Sequence, residues 1–216
     1  MSDEKKSNSI ITVPFRLAFP EVFTAKASVE GGKAKFSVTM LYPKDGSALI
    51  PSMPGDGILE LRKLALAAIK EKWGEDKTKW PASIKAIDLK TYVSPNGKDG
   101  WPIRDGNLVE WDGFAGQLFV RASSQFQPGI VDQKLQPIID KSAVYGGLIC
   151  RAQVNAFAYD NAGNRGVSFG LNNLQVLKDD GVVFGGKQNA AEVFDAFAAS
   201  GDLASGGSTG PDDDFA

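Results

Sequence analysis

"LICRAQVNAFAYD", residues 148–160, decides how this 216-residue chain is read. In an extended strand successive side chains point to opposite faces. Leu148, Cys150, Ala152, Val154, Ala156 and Ala158 therefore share one face, and Ile149, Arg151, Gln153, Asn155, Phe157 and Tyr159 share the other. The first set is apolar and mostly small, as the inside of a tightly curled barrel requires. The second holds two aromatics, an Arg, an Asn and a Gln where an ordinary solvated face would show Lys, Glu and Thr. "QLFVRAS", residues 117–123, divides in the same way, with Leu118, Val120 and Ala122 inward and Phe119, Arg121 and Ser123 outward.

Two readings of the outward set are open. Arg beside exposed rings suits unpaired nucleotides, the cations meeting phosphates while bases stack on the rings at about 1–3 kcal/mol each. Alternatively Phe119, Phe157 and Tyr159 form a second small core beneath a loop or a C-terminal helix. Nearby loops add candidates. "SPNGKDGWPIRDG", residues 94–106, carries Lys98, Arg104 and an isolated Trp101, which either offers a stacking face or pins its loop to the body. "DNAGNRGVSFG", residues 160–170, places Arg165 in a hairpin tip just past Tyr159.

Working outward, short β-branched and aromatic stretches cut by Pro and Gly predict further strands near 11–19, 24–30, 34–42, 85–93 and 166–176. Gly31–Gly32 reads as a hairpin turn, since Gly accepts the positive φ such turns need. In 58–73, Leu61, Leu64, Ala65, Ala68, Ile69 and Trp73 recur at helical spacing and leave Arg62, Lys63, Lys70 and Glu71 for water. A second helix is expected over 189–199, capped by Asn189 with Glu192, its stripe of Val193, Phe194 and Phe197 sealing the sheet. The organisation expected is a flexible start (1–9), one mainly β barrel or sandwich domain with helical additions (10–200), and a linker with an acidic tail (201–216).

Composition narrows the chemistry. With one cysteine and no histidine, an internal disulfide, the His-dependent triads and nearly all zinc sites are excluded. Cys150 falls on the core face. No cofactor motif emerges; a carboxylate pair could still support acid–base or Mg²⁺ chemistry, but the 26 acidic residues show no diagnostic spacing. No signal segment and no apolar run of bilayer length occurs, so the expectation is a cytoplasmic protein without a membrane partner. Against a formal net charge of −2, the tail holds Asp202, Asp212, Asp213 and Asp214 with no Lys or Arg, so the body is mildly basic.

The stretches "FSVTMLYPK" (36–44), "PIRDG" (102–106), "RASS" followed by "QPGIVD" (121–132), "GGLICRAQVNAFAYDNAGNRGV" (146–167), "GLNNLQ" (170–175) and "FGG" (184–186) together resemble the single-stranded DNA-binding proteins of tailed bacteriophages. The likeness runs in order from about Arg16 to Gly186. It implies an OB-fold barrel with an inserted helix and hairpins, no cofactor, and DNA lying across an outer sheet face. The site set it favours is Phe119, Arg121, Arg151, Asn155, Phe157, Tyr159 and Arg165, extended by Trp101, Arg104 and Lys98. It further implies a role in coating single-stranded DNA during phage replication or recombination, in the host cytoplasm, and is compatible with a homo-oligomer.

The ending "GPDDDFA" is similar to the acidic, aromatic-bearing tails by which such proteins dock replication partners, a polymerase or a helicase. Asp212, Asp213, Asp214 and Phe215 would carry that docking and compete with DNA for the groove, although Ala216 follows the aromatic. A phage structural or assembly β-protein is the alternative, and a Mg²⁺-dependent nuclease using scattered carboxylates a third.

Overall fold

Along the chain come β1 (Ser9–Ile11), β2 (Phe15–Lys26), β3 (Lys35–Pro43), α1 (Gly57–Trp73), α2 (Ala82–Lys85), β4 (Arg104–Asp105), β5 (Gln117–Ser124), β6 (Gly129–Val131), β7 (Ile149–Asn161) and β8 (Asn164–Lys178). They belong to a computed structural model that describes residues 9–27, 31–161 and 163–185. β2 pairs with β3, β3 with β5, β5 with β8, β8 with β7, and β7 returns to β2. Those five strands close a ring, antiparallel throughout except for the parallel β5–β8 pair. This is a barrel of the OB type. β1, β4 and β6 are short additions beside β7, β5 and β8.

The alternation read from the sequence fills the ring. Val38, Met40, Val120, Ala122, Cys150, Ala152, Val154 and Ala156 are all buried in one cluster, and the small residues of β7 let the sheet curl tightly. α1 starts where the Asp56 carboxylate accepts the Leu59 N–H at 3.1 Å and ends at Gly74, whose φ is 82°. Its stripe of Leu61, Leu64, Ala65, Ala68 and Ile69 joins the same core, against β7 and β8. The contact is close at the helix start, because a Cβ at Gly57 would stand 2.2 Å from the Tyr42 ring.

Several expectations change. The separate strands near 11–19 and 24–30 are replaced by the short β1 and one 12-residue strand, β2. Phe19–Pro20 does not end that strand; it is absorbed as a bulge, with Ala18 opposite Thr39 and Glu21 opposite Ser37. The strand expected near 85–93 is α2 and turns. Ile87 and Leu89 pack on the core at a spacing of two that imitates a strand, while Asp88 accepts the Lys90 N–H and the Thr91 hydroxyl and bends the chain. Arg62, expected in water, is buried and donates to the carbonyls of Leu89, Thr91 and Tyr92. Ile149, assigned to the outward face, is also buried. Of the flexible start expected over 1–9, Ser9 instead begins β1, paired with Asn155; residues 1–8, the helix over 189–199 and the acidic tail lie outside the described residues.

Candidate nucleic-acid interface

The registers of the five ring strands lay their outward residues in rows across the barrel. One row runs Ala18, Thr39, Arg121 over β2, β3 and β5, by direct pairing. Since Ala122 faces Phe169 in the parallel pair, Arg121 stands beside Ser168, which pairs with Phe157. The neighbouring row runs Ser37, Ser123, Gly170, Asn155 and Ser9. It is built almost entirely of small polar residues. The Asn155 amide lies over Gly170, its oxygen 2.3 Å from where a Cβ would be, so the sheet surface there is low and lined with hydrogen-bonding groups.

On the other side of Arg121 comes Leu41, Phe119, Arg104. The Arg104 guanidinium sits over the Phe119 ring at 4.8 Å, and its Nε is buried with no hydrogen-bond partner among the described residues. Arg121 is exposed and donates to the Ser37 hydroxyl at 3.0 Å. Arg104, Arg121, Tyr159 and Ser168 line a single depression of about 240 Å³, with Asn96 and Gly97 at its edge. Two cations, a phenol ring and hydroxyl and amide donors thus converge on an open surface. Such a surface can grip a phosphate and offer a ring face to a base. Burial, then the nearby Asp99 carboxylate, push the Tyr159 phenol upward and keep it protonated as a donor.

The predicted residues divide into groups. Arg104, Arg121 and Tyr159 meet in the depression, and Phe157, 44% exposed, lies one register step from Tyr159 on the same outward side. Asn155 borders the low row. Arg165 pairs with Asp160 at 2.8 Å across the β7–β8 hairpin tip, where it lines a second depression with Lys98. Arg151 is set apart: its Nε donates to Gln175 at 2.7 Å, and eight residues of strand, about 25 Å at the usual rise, separate it from Tyr159.

Two aromatics are not free platforms. Trp101 is 1% exposed and its Nε1 donates to the Tyr92 carbonyl, so it pins the loop and belongs to the wall of the Arg104–Arg121 depression without a free face for stacking. Phe119 is 4% exposed in a second small core with Ala18, Leu41 and Phe114, and supports Arg104 from beneath. The second-core alternative therefore describes Phe119, while Phe157 stands 44% exposed.

The sequence reading missed other exposed rings. Phe19, Trp111 and Phe126 are 51%, 44% and 81% exposed. Each is an isolated aromatic in a turn or bulge, where alternation carries no signal. It read the turn at Gly31–Gly32 but not the exposed cations beside it, Lys26 and Lys33. The signal there was the Lys spacing in "AKASVEGGKAK" around the Gly-Gly turn.

Known proteins agree with this architecture. In solved structures, the single-stranded DNA-binding protein of bacteriophage Enc34 in complex with ssDNA superposes with a TM-score of 0.58 at 19% identity, over 81% of this chain and 89% of that one. A second structure of the same phage protein gives 0.57 at 18% identity, over 88% and 92%. Among sequences, protein p50 of Acyrthosiphon pisum secondary endosymbiont phage 1 is 32% identical over 181 residues, 83% of this chain and 89% of that protein. The family described as Enterobacter phage Enc34, ssDNA-binding protein, matches residues 8–204. By this match, which takes in every described element, the chain belongs to the family of the phage Enc34 single-stranded DNA-binding protein.

Proposed function

We propose that this chain binds single-stranded DNA across the outer face of β3, β5, β8 and β7, with little regard for sequence, and so coats and protects unpaired DNA during phage replication or recombination. The observation that carries the reading is the convergence of Arg104, Arg121 and Tyr159 on one open depression, beside a sheet surface of Ser, Gly and Asn. Phosphates meet the guanidinium groups, and bases stack on Tyr159 and Phe157. No hydrogen-bond code for a particular base is needed for that. The protein acts by binding, not by chemistry, in the cytoplasm of the host cell.

Titration of a fluorescently labelled oligo-dT at several salt concentrations tests this. The logarithm of the affinity is expected to fall linearly with the logarithm of salt, with a slope of roughly 0.7 per phosphate contact. Absence of binding, or affinity indifferent to salt, overturns the reading.

The acidic tail is assigned two linked tasks. Asp212, Asp213, Asp214 and Phe215 dock a replication partner such as a polymerase or a helicase, and they compete with DNA for the basic groove. A tethered segment acts at an effective concentration on the order of mM, enough for a weak attraction to count. Deleting residues 202–216 is expected to tighten binding most at low salt; identical affinities at low salt reject the competition.

A further inference from the structure

We infer that a separate aromatic slot on the β2 side of this face, formed by Phe19, Trp111, Phe114 and Phe184, takes one unpaired nucleobase from the same strand of DNA. The inference rests on the proposed function and adds to it a stacking site outside the Arg104–Arg121 depression.

The slot is built on a strained backbone. Phe19 has a φ of 45°, in the left-handed region that a bulky residue rarely occupies. The strain arises at the β2 bulge, where Phe19 and Pro20 together face the single residue Val38. Such a conformation is costly and persists where the surroundings enforce it. Its result is a ring that leaves the barrel wall and stands 51% exposed, against the edge of Trp111 at 5.3 Å and near Phe114 at 5.6 Å. A fold seeking only stability would bury that ring.

The opposite wall is fixed. Phe184 packs onto Gly113, where a Cβ would lie 2.1 Å from the ring, and Gly113 has a φ of 77°. Phe19, Trp111, Phe114 and Phe184 line a single space of about 270 Å³, which Glu110 and Asp112 line as well. Those carboxylates repel phosphates and, being pure acceptors, suit the N–H groups of a base edge. The base enters while the sugar–phosphate chain stays outside.

Continuity with the neighbouring site selects this occupant over a peptide. Ala18, which lines the slot, begins the row that crosses Thr39 to Arg121. Trp111 also lies 5.9 Å from Phe119, the ring that supports Arg104. Thr39 and Ala18 are themselves buried, so a strand held at Arg121 reaches the slot by passing over them, two strand spacings or about 10 Å toward β2.

The full chain is irradiated with a short oligo-dT carrying 5-iodo-deoxyuridine, and the crosslinked residues are mapped; affinity and salt slope are then measured for the unmodified protein and for Phe19→Asn. Asn tolerates the left-handed backbone but removes the ring. Crosslinks at Trp111 or Phe19 are expected, with affinity of Phe19→Asn about tenfold weaker and an unchanged salt slope, since a lost stack releases no counterion. Salt-dependent binding with crosslinks only elsewhere and full affinity in Phe19→Asn overturns the slot and leaves the proposed function standing. Failure of the unmodified protein to bind the oligonucleotide overturns both.

Discussion

Arg104 lies over the Phe119 ring at 4.8 Å, and among the described residues Arg121 reaches only a serine hydroxyl, so both guanidinium groups keep donors for a phosphate. Arg121→Ala is expected to weaken oligo-dT binding and to lower the salt slope by about 0.7, the share of one phosphate contact, without moving the denaturation midpoint. Trp101→Ala should act first on stability. Removing a fully buried indole costs about 3–5 kcal/mol, read as a lower denaturation midpoint. Cys150 is buried and desolvation pushes its thiol pKa upward, so a thiol reagent should label it only when the chain unfolds. Alternation placed Cys150, Val120 and Ala122 inside because a strand leaves each side chain only two sides. It placed Phe119 outward as well, and the sheet does turn it outward; what alternation could not register is that Phe114 and Trp111, from a loop, cover it.

At the scale of elements, β5, β7 and β8 were legible almost to their ends, since β7 alternates from Cys150 to Ala156 and β8 from Val167 to Leu171; where the period slips, at Ile149–Cys150 and Asn172–Asn173, the β7–β8 register shifts as well. β4 and β6, with 2 and 3 residues, are too short for any period to be seen. The β7–β8 hairpin depends on a backbone contact that no pattern reveals. The Val167 N–H donates to the Gly100 carbonyl at 2.8 Å, and a Cβ at Gly166 would stand 2.4 Å from that same oxygen. Gly166→Ala must therefore push the loop carrying Trp101 away from β8. It is expected to lower stability by about 1–3 kcal/mol and to weaken DNA binding too, because Tyr159 pairs with Gly166 and its hydroxyl lies against it. Measuring both quantities on one preparation checks that they fall together.

At the scale of the molecule, the strand order was the hardest property to foresee. It requires β2 to meet β7, more than a hundred residues later, with an inserted helix between β3 and β5 that breaks up the repeating pattern. Arg16 secures this closure: it donates to the Gly147 carbonyl at 2.7 Å and to both oxygens of Asp180 at 2.8 and 2.9 Å, tying β2 to the chain beyond β8. Hydrogen bonding from Arg16 holds the Asp180 carboxyl down to about 2. A depressed carboxylate contributes stability above its unfolded pKa, near 4, and loses it as the pH falls toward 2. The pair is partly exposed, so the contribution is a fraction of a kcal/mol. Denaturation midpoints measured between pH 5 and pH 2 should fall more for the unmodified protein than for Asp180→Asn.

β8 pairs with both β5 and β7, and it is the last strand in the described sequence to leave the ribosome. Until it emerges, two neighbouring strands carry bare amide edges and the floor of small polar residues lacks Gly170. A nascent chain halted before residue 164 should therefore be open to proteases and tend to pair with its neighbours on a polysome, and one halted well past residue 185 should resist digestion. Competence to cover DNA would then arise in a single late step of synthesis, with no half-built form able to occupy the template.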